Sequence, residues 1–132
     1  MDKRENPVRI RWIQLGTKEV LFLDFSNLKV QDSLDLMDAF VREVEGRPKR
    51  SVLMLHDVTD AEYDPSVARK WKELRLAHDD AVRASAIYGL SGLVGIAVRG
   101  FTEARRMMGI GSGNDLRIFA DGQAARDWLA GQ

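Results

Sequence analysis

The segment that decides the fold runs from Ser51 to Thr59 and reads SVLMLHDVT. It starts with an unbroken apolar run, Val52 to Leu55. A run this short and this apolar is typical of a strand buried on both faces, as in parallel sheets. The run ends in polar residues at His56 and Asp57. Since ligands and partners of α/β folds usually meet the protein where a central strand ends, the segment predicts both the centre of a sheet and a candidate functional edge.

Strands and helices alternate on both sides of this segment. Hydrophobic periodicity predicts strands over 8–12, 20–25, 52–55, 84–90 and 116–120, and helices that begin near Ser33, Pro65, Gly92 and Asp121. Gln31-Asp32-Ser33 offers a cap for the first of these helices, and Asp121 caps the last. The predicted order of elements is therefore β-β-α-β-α-β-α-β-α. The short connection after the first strand favours an antiparallel hairpin, and strands that are joined by a single helix are normally parallel. The predicted class is α/β, with a mixed sheet of about five strands and about four helices. The first two strands form the N-terminal antiparallel hairpin, and the remaining strands are parallel.

The helix after the central strand has a clear start and an amphipathic pattern. Asp64 is a suitable cap, and Pro65 is suited to the first helical position. The spacing predicts an inner face of Val67, Ala68, Trp71 and Leu74. It places the charged residues on the solvent faces, namely Arg69, Lys70, Lys72, Glu73 and Arg75.

The amino-acid composition limits the classes of function that the protein is expected to have. The 132 residues suit one domain, predicted over 8–132, after a flexible N-terminal tail at 1–7. Lys plus Arg total 20 and Asp plus Glu total 20, and this balance argues against a dedicated nucleic-acid binder. The absence of cysteine excludes disulfides and thiolate metal sites. The first residues lack the apolar core of a secretory signal, so the expected location is the cytoplasm.

Three segments carry a resemblance to a known family: VLMLHDVTDAEYDPSVARKWKEL from Val52, ASAIYGLSG from Ala84, and LRIFADGQAARDWL from Leu116. In the last of these a strand ending in Phe precedes an acidic turn and a helix with the pattern Ala-x-x-Trp-Leu, here Ala125 to Leu129. The chain resembles the SpoIIAA-like proteins, which have the fold of STAS domains. The resemblance covers nearly the whole chain from about Val20 onward, and it implies one STAS-like domain.

The resemblance implies two different functions, neither of them enzymatic. The SpoIIAA-like branch is associated with apolar ligands and membrane surfaces. STAS domains of the anti-sigma-factor-antagonist type instead bind a partner kinase, under control of a phosphorylated Ser at the start of the helix after the central strand. Their motif there is an Asp-Ser pair followed by small residues. This chain has Thr59-Asp60-Ala61 and then Asp64-Pro65-Ser66 in that region.

The candidate sites follow from these alternatives. Thr59 and Ser66 are the phosphorylation and partner-loop candidates, because a helix N-terminus nearby stabilises a phosphate. Apolar stripes on the second and third helices usually fill a core, but the same helices are the natural lid over a ligand pocket. The residues of that apolar pocket would be Tyr63, Trp71, Leu74, Val94, Val98 and Phe101.

The remaining polar residues do not predict catalysis. His56 and Asp57 are adjacent on a strand, so their side chains point to opposite faces. We therefore predict no catalytic residue, no metal site and no cofactor, and we interpret His56 to Asp60 as a polar hinge into a movable helix.

The sequence favours a small non-enzymatic cytoplasmic module that binds an apolar or lipid-like ligand or a membrane surface through its second and third helices. The alternative is a regulatory switch that binds a protein partner and is controlled by Ser or Thr phosphorylation. Homo-oligomers and a peripheral membrane location are compatible with both hypotheses. Nucleic acid is not an expected partner.

Overall fold

The computed structural model describes residues 9–62, 64–90 and 115–132. Within these ranges the elements are β1 (Ile10–Leu15), β2 (Lys18–Asp24), α1 (Val30–Val44), β3 (Val52–Asp57), α2 (Pro65–Ala77), β4 (Val82–Tyr88), β5 (Asp115–Phe119) and α3 (Gly122–Ala130). A short 3₁₀ turn, Asp79–Ala81, leads into β4. The predicted tail at 1–7 and the predicted helix that begins near Gly92 lie outside the described residues.

The five strands form one sheet in the order β1-β2-β3-β4-β5. β1 and β2 are antiparallel, and each of the other neighbouring pairs is parallel. Leu15 pairs with Lys18, so Gly16 and Thr17 alone make the hairpin turn. Gly16 has a φ of 63°, which glycine adopts readily and which such two-residue turns require. The predicted α/β class, with its N-terminal hairpin and otherwise parallel strands, is confirmed.

The predicted central strand lies in the middle of the sheet. β3 pairs with β2 on one side and with β4 on the other. Its residues Val52 to His56 are all buried. Because successive side chains of a strand point to opposite faces, this one segment contributes to two separate cores.

The first core lies between the sheet and the two helices α1 and α2. Its buried residues include Met54 from β3 and Phe40 from α1, and Trp71 of α2 packs against them. The ring centroids of Phe40 and Trp71 are 5.2 Å apart. The packing of Trp71 against this core therefore fixes the position of α2 over the end of β3.

The second core lies between the opposite face of the sheet and α3. Ala84 and Ala86 of β4 leave room for Ala125 and Leu129 of α3, and all four are almost fully buried. The Asp121 carboxylate accepts a hydrogen bond from the backbone N–H of Ala124 at 2.8 Å, which confirms the predicted cap.

The start of α1 differs from the prediction. The helix begins at Val30, before the predicted cap segment Gln31-Asp32-Ser33, and Ser33 is buried inside it. Lys29 occupies the cap position and makes no side-chain cap. Instead the Glu62 carboxylate accepts a hydrogen bond from the Val30 N–H at 3.1 Å. A cap supplied from another part of the chain replaces the local cap that the sequence pattern suggested.

The predicted start of α2 is confirmed, but the predicted solvent exposure of one of its residues is wrong. Asp64 caps the helix by accepting from the Ser66 N–H at 2.8 Å, and Pro65 opens the first turn. The prediction that Arg75 lies on a solvent face is wrong, because its side chain is 2% exposed. Arg75 follows Trp71 by four residues, and this spacing puts both on the face that contacts the sheet.

Candidate functional site

Polar side chains line the edge of the sheet where β2, β3 and β4 end. In the sheet register Asp24 is paired with Asp57, and Asp57 with Tyr88. Ser26 and Thr59 follow two residues after the two carboxylates. We call this set the carboxyl rim; its members are Asp24, Ser26, Asp57, Thr59 and Tyr88. None is fully buried, and Thr59 is exposed.

The two carboxylates of the carboxyl rim are held by the same local hydrogen-bond pattern. Asp57 Oδ1 accepts from the Thr59 N–H at 3.0 Å and from the Thr59 hydroxyl at 2.7 Å. Asp24 Oδ1 accepts from the Ser26 N–H at 3.0 Å and from the Ser26 hydroxyl at 2.5 Å. Asp and Asn commonly order a chain reversal in this way. Each hydroxyl therefore has a defined direction.

Backbone hydrogen bonds join the loops that carry the carboxyl rim. The N–H of Asn27 donates to the Thr59 carbonyl at 2.9 Å, and the N–H of Val58 donates to the Tyr88 carbonyl at 3.0 Å. Asn27 and Asp60 have φ values of 59° and 54°. Asn and Asp tolerate this left-handed region better than most residues do. The rim is thus a continuation of the sheet and not a set of independent loops.

Gly89 packs directly against Thr59. Its φ is 89°, and a methyl group at this position would lie 2.7 Å from the backbone nitrogen of Thr59 and 2.9 Å from its Cα. Glycine is therefore required both by the backbone conformation and by the close approach of the two loops.

Tyr88 ends β4 beside the Asp57 carboxylate. Burial raises the pKa of the Tyr88 phenol, and the negative charge of Asp57 raises it further. The Arg126 guanidinium, 5.7 Å from the centre of the Tyr88 ring, opposes this shift. The phenol is therefore protonated at neutral pH and acts as a polar neighbour of Asp57 without adding charge to the rim.

Ser66, the second phosphorylation candidate, lies in the first turn of α2. Its hydroxyl and its backbone N–H both donate to the Asp64 carboxylate. These two bonds lower the pKa of Asp64, the hydroxyl bond contributing most. Ser66 is half-buried, whereas Thr59 is exposed. Of the two candidates, Thr59 presents the more accessible hydroxyl.

His56 does not belong to a polar hinge, because it is part of β3 and is 2% exposed. Its ring centroid lies 5.0 Å from that of Trp71 and 6.4 Å from that of Phe25. Burial, reinforced by the positive charge of Arg75, lowers the pKa of His56 to about 3. The imidazole is neutral at pH 7, and its ring is enclosed in the core.

The buried guanidinium of Arg75 is another polar group that the sequence did not indicate as part of the core. It lies between α2 and the sheet, where it donates to the Ser85 hydroxyl at 3.2 Å. Its carbon Cζ is 5.8 Å from the centre of the Trp71 ring. The sequence signal for this burial is the four-residue spacing between Trp71 and Arg75, which places both on one face of the helix. The basic residues on both sides of Trp71 instead suggested that this part of the helix faces solvent.

The residues predicted to line an apolar pocket are only partly within the described ranges. Tyr63, Val94, Val98 and Phe101 lie outside them. Trp71 packs against Phe25, Phe40 and His56, and Leu74 packs against the same core. Both described candidates therefore make contacts that stabilise the position of α2.

In the described part of the chain, no group of three or more His, Asp or Glu residues has the arrangement of a metal site. No helix in these ranges combines the length and the apolar character needed to cross a membrane.

No protein-family model matches the chain, and no curated protein matches it in sequence. A similar solved structure is that of an uncharacterized protein of the DUF3478 family with a SpoIIAA-like fold from Shewanella loihica PV-4. The two share 20% sequence identity with a TM-score of 0.67, and the match covers 91% of each chain. The protein therefore has a SpoIIAA-like fold, as the resemblance of its sequence predicted.

Proposed function

We propose that the protein is a non-enzymatic cytoplasmic interaction module of the anti-sigma-factor-antagonist type, and that the carboxyl rim contacts its protein partner. The observation that carries the proposal is the pair of hydrogen-bonded turns, Asp57 with Thr59 and Asp24 with Ser26, side by side at an accessible sheet edge. The SpoIIAA-like fold supports the same class, although the fold by itself does not specify a function.

The rim has properties that favour recognition of a protein surface. Its hydroxyls and carboxylates are ordered by local bonds, and its loops are joined by backbone bonds. A partner therefore loses little free energy in ordering these groups when it binds. Polar groups of fixed direction also give specificity, because a mismatched partner leaves them unpaired.

Thr59 gives the proposed interaction a means of control. A phosphate on its hydroxyl would remove the donor that now binds Asp57 and would place about two negative charges beside that carboxylate. The resulting repulsion would displace the turn from the conformation that the partner recognises. Phosphorylation of Thr59 is therefore proposed to turn binding off.

The substitution Thr59→Glu tests this proposal, because it removes the hydroxyl donor and adds a carboxylate beside Asp57. We expect a partner that co-purifies with the wild-type protein from its native cells to bind the variant at least tenfold more weakly, since a lost charge-assisted bond and an added repulsion each weaken binding. Quantitative mass spectrometry of the purified complexes measures the ratio, and binding titration with the identified partner confirms it.

Gln14→Glu is the matched control, because it adds the same charge on the exposed edge strand β1, away from the carboxyl rim. It should retain the partner. Equal retention by Thr59→Glu would mean that the rim is not the contact surface. Ser66→Glu, at the start of α2, distinguishes control through the helix from control through Thr59.

The apolar-ligand and membrane hypotheses stay sequence-based predictions with their own test. Native mass spectrometry of the purified protein would reveal a co-purifying lipid, and liposome flotation at low ionic strength would reveal membrane binding. A bound lipid together with unchanged partner retention by Thr59→Glu would favour these hypotheses over the proposed interaction module.

A further inference from the structure

A second polar surface lies at the end of the sheet opposite to the carboxyl rim. It is a cleft of about 390 Å³ where β2, β3 and β4 begin. Four basic residues line it, and we call it the basic cleft; these residues are Lys18, Arg47, Arg50 and Arg83. Glu19 is its acidic lining residue. Small-molecule sites commonly have volumes in this range.

The charge of the basic cleft differs from that of the chain as a whole. The chain is neutral, with 20 basic and 20 acidic residues, whereas the cleft lining has four basic groups and one carboxylate. Between the described side chains no ion pair of an Asp or Glu carboxylate with these four groups is formed, although Lys70 is paired with Asp38 at 2.8 Å and Arg9 with Asp24 at 3.5 Å. The basic cleft therefore concentrates positive charge that no ion pair within the described ranges neutralises.

Two of the basic side chains are held in place. The Arg47 guanidinium lies 4.2 Å from the centre of the Trp12 ring, and its Nε donates to the Glu43 carbonyl at 3.3 Å. The Trp12 indole N–H donates to the Glu43 carboxylate at 2.8 Å, which orients the ring. Lys18 Nζ donates to the backbone oxygen of Gln132 at 3.0 Å. Ordering these long side chains on binding therefore costs less than it would on a free surface.

The other two basic side chains are exposed, Arg50 on the turn before β3 and Arg83 near the start of β4. The turn is anchored, since the Arg50 N–H donates to the Asp80 carbonyl at 2.8 Å and the Ser51 hydroxyl to the Pro48 carbonyl at 2.7 Å. The four cations thus come from segments that the parallel sheet brings together.

We propose that the basic cleft binds a small ligand that carries two or more phosphate groups. Three guanidiniums suit phosphate oxygens, which they contact in paired hydrogen bonds. Cations on several segments require more than one anionic group, and the cleft has the volume of a small-molecule site. The ligand is either a soluble polyphosphorylated molecule or the headgroup of a lipid with more than one phosphate.

Isothermal titration of the full chain with inorganic tripolyphosphate tests the proposal. We expect saturable binding that weakens as salt is added, and about a tenfold or greater loss in the double variant Arg50→Ala with Arg83→Ala. The control, Arg69→Ala with Lys72→Ala, removes two exposed cations of α2 outside the cleft and should bind as the wild type does. Circular dichroism checks that each variant folds.

A flotation assay with phosphatidylcholine vesicles, with and without cardiolipin, distinguishes the two sources. Binding of tripolyphosphate without vesicle binding identifies a soluble ligand, and vesicle binding that needs both cardiolipin and the two arginines identifies a headgroup. The proposal is overturned if neither probe binds, or if the control pair reduces binding as much as the cleft pair does.

Discussion

Acidification is expected to destabilise the folded protein through His56. The imidazole has its ordinary pKa of 6.5 in the unfolded chain and a pKa of about 3 in the folded one. Between these values the unfolded state binds the extra proton, so the free energy of unfolding falls as pH falls. The stabilisation is fully present above pH 6.5 and is lost as pH approaches 3, and the total loss is on the order of 5 kcal/mol.

Urea denaturation of wild type and His56→Gln, repeated at a series of pH values, measures this effect. The variant should lose less stability on acidification, because it keeps the carboxylates of the protein and lacks the buried imidazole. His78→Gln is the matched histidine control, since it leaves His56 in place and should retain the steeper slope. Parallel curves for wild type and His56→Gln would show that the imidazole is not held neutral inside the core.

Replacing Gly89 with alanine is expected to disturb the carboxyl rim as well as the fold. A residue other than glycine in the left-handed region costs about 1–2 kcal/mol. The added methyl group would also approach the backbone nitrogen of Thr59 to 2.7 Å, and relieving such a contact costs about 1–3 kcal/mol more. Gly89→Ala should therefore lower the free energy of unfolding by about 2–5 kcal/mol.

Gly46→Ala separates the two contributions. Gly46 has a φ of 79°, similar to that of Gly89, but no atom lies within 4 Å of a methyl group placed there. It should show the cost of the backbone conformation alone, about 1–2 kcal/mol. Denaturant unfolding of both variants gives the difference. An equal loss of unfolding free energy at the two positions would mean that the loop carrying Thr59 moves away from the added methyl group at no energetic cost. That result would contradict a rigid carboxyl rim.

The arrangement of the sheet could be predicted from the sequence because its signals are local. The apolar run Val52 to Leu55 has the pattern of a doubly covered strand, and β3 is indeed central and buried. The two residues Gly16 and Thr17 make the hairpin turn between the alternating strand β1 and β2. Asp64 and Asp121 cap their helices with their own side chains, which is also a local effect.

Features that depend on distant segments could not be predicted in the same way. The cap of α1 comes from Glu62, which is 32 residues along the chain from Val30. The burial of Arg75 and His56 depends on how α2 packs against the sheet, and charged or titratable residues are seldom fully buried.

The carboxyl rim was predicted in outline and not in its geometry. The end of β3 at Asp57 was a candidate edge from the sequence, and Thr59 was a candidate switch. The pairing with Asp24 and Tyr88 follows only from the register of three strands. The basic cleft has the same origin, because Lys18, Arg50 and Arg83 are far apart in sequence and meet only where neighbouring strands begin.

Site-specific photocrosslinking in native cells tests the central claim, that the carboxyl rim contacts a protein partner, most directly. A benzophenone side chain replaces either Lys29, which is exposed and follows β2 at the rim, or Gln14 on β1. We predict a crosslinked adduct from position 29 that contains the co-purifying partner, is absent from position 14, and disappears when Thr59→Glu is added. An adduct from position 14 alone, or one from position 29 that Thr59→Glu leaves unchanged, would contradict the assignment of the rim as the partner surface.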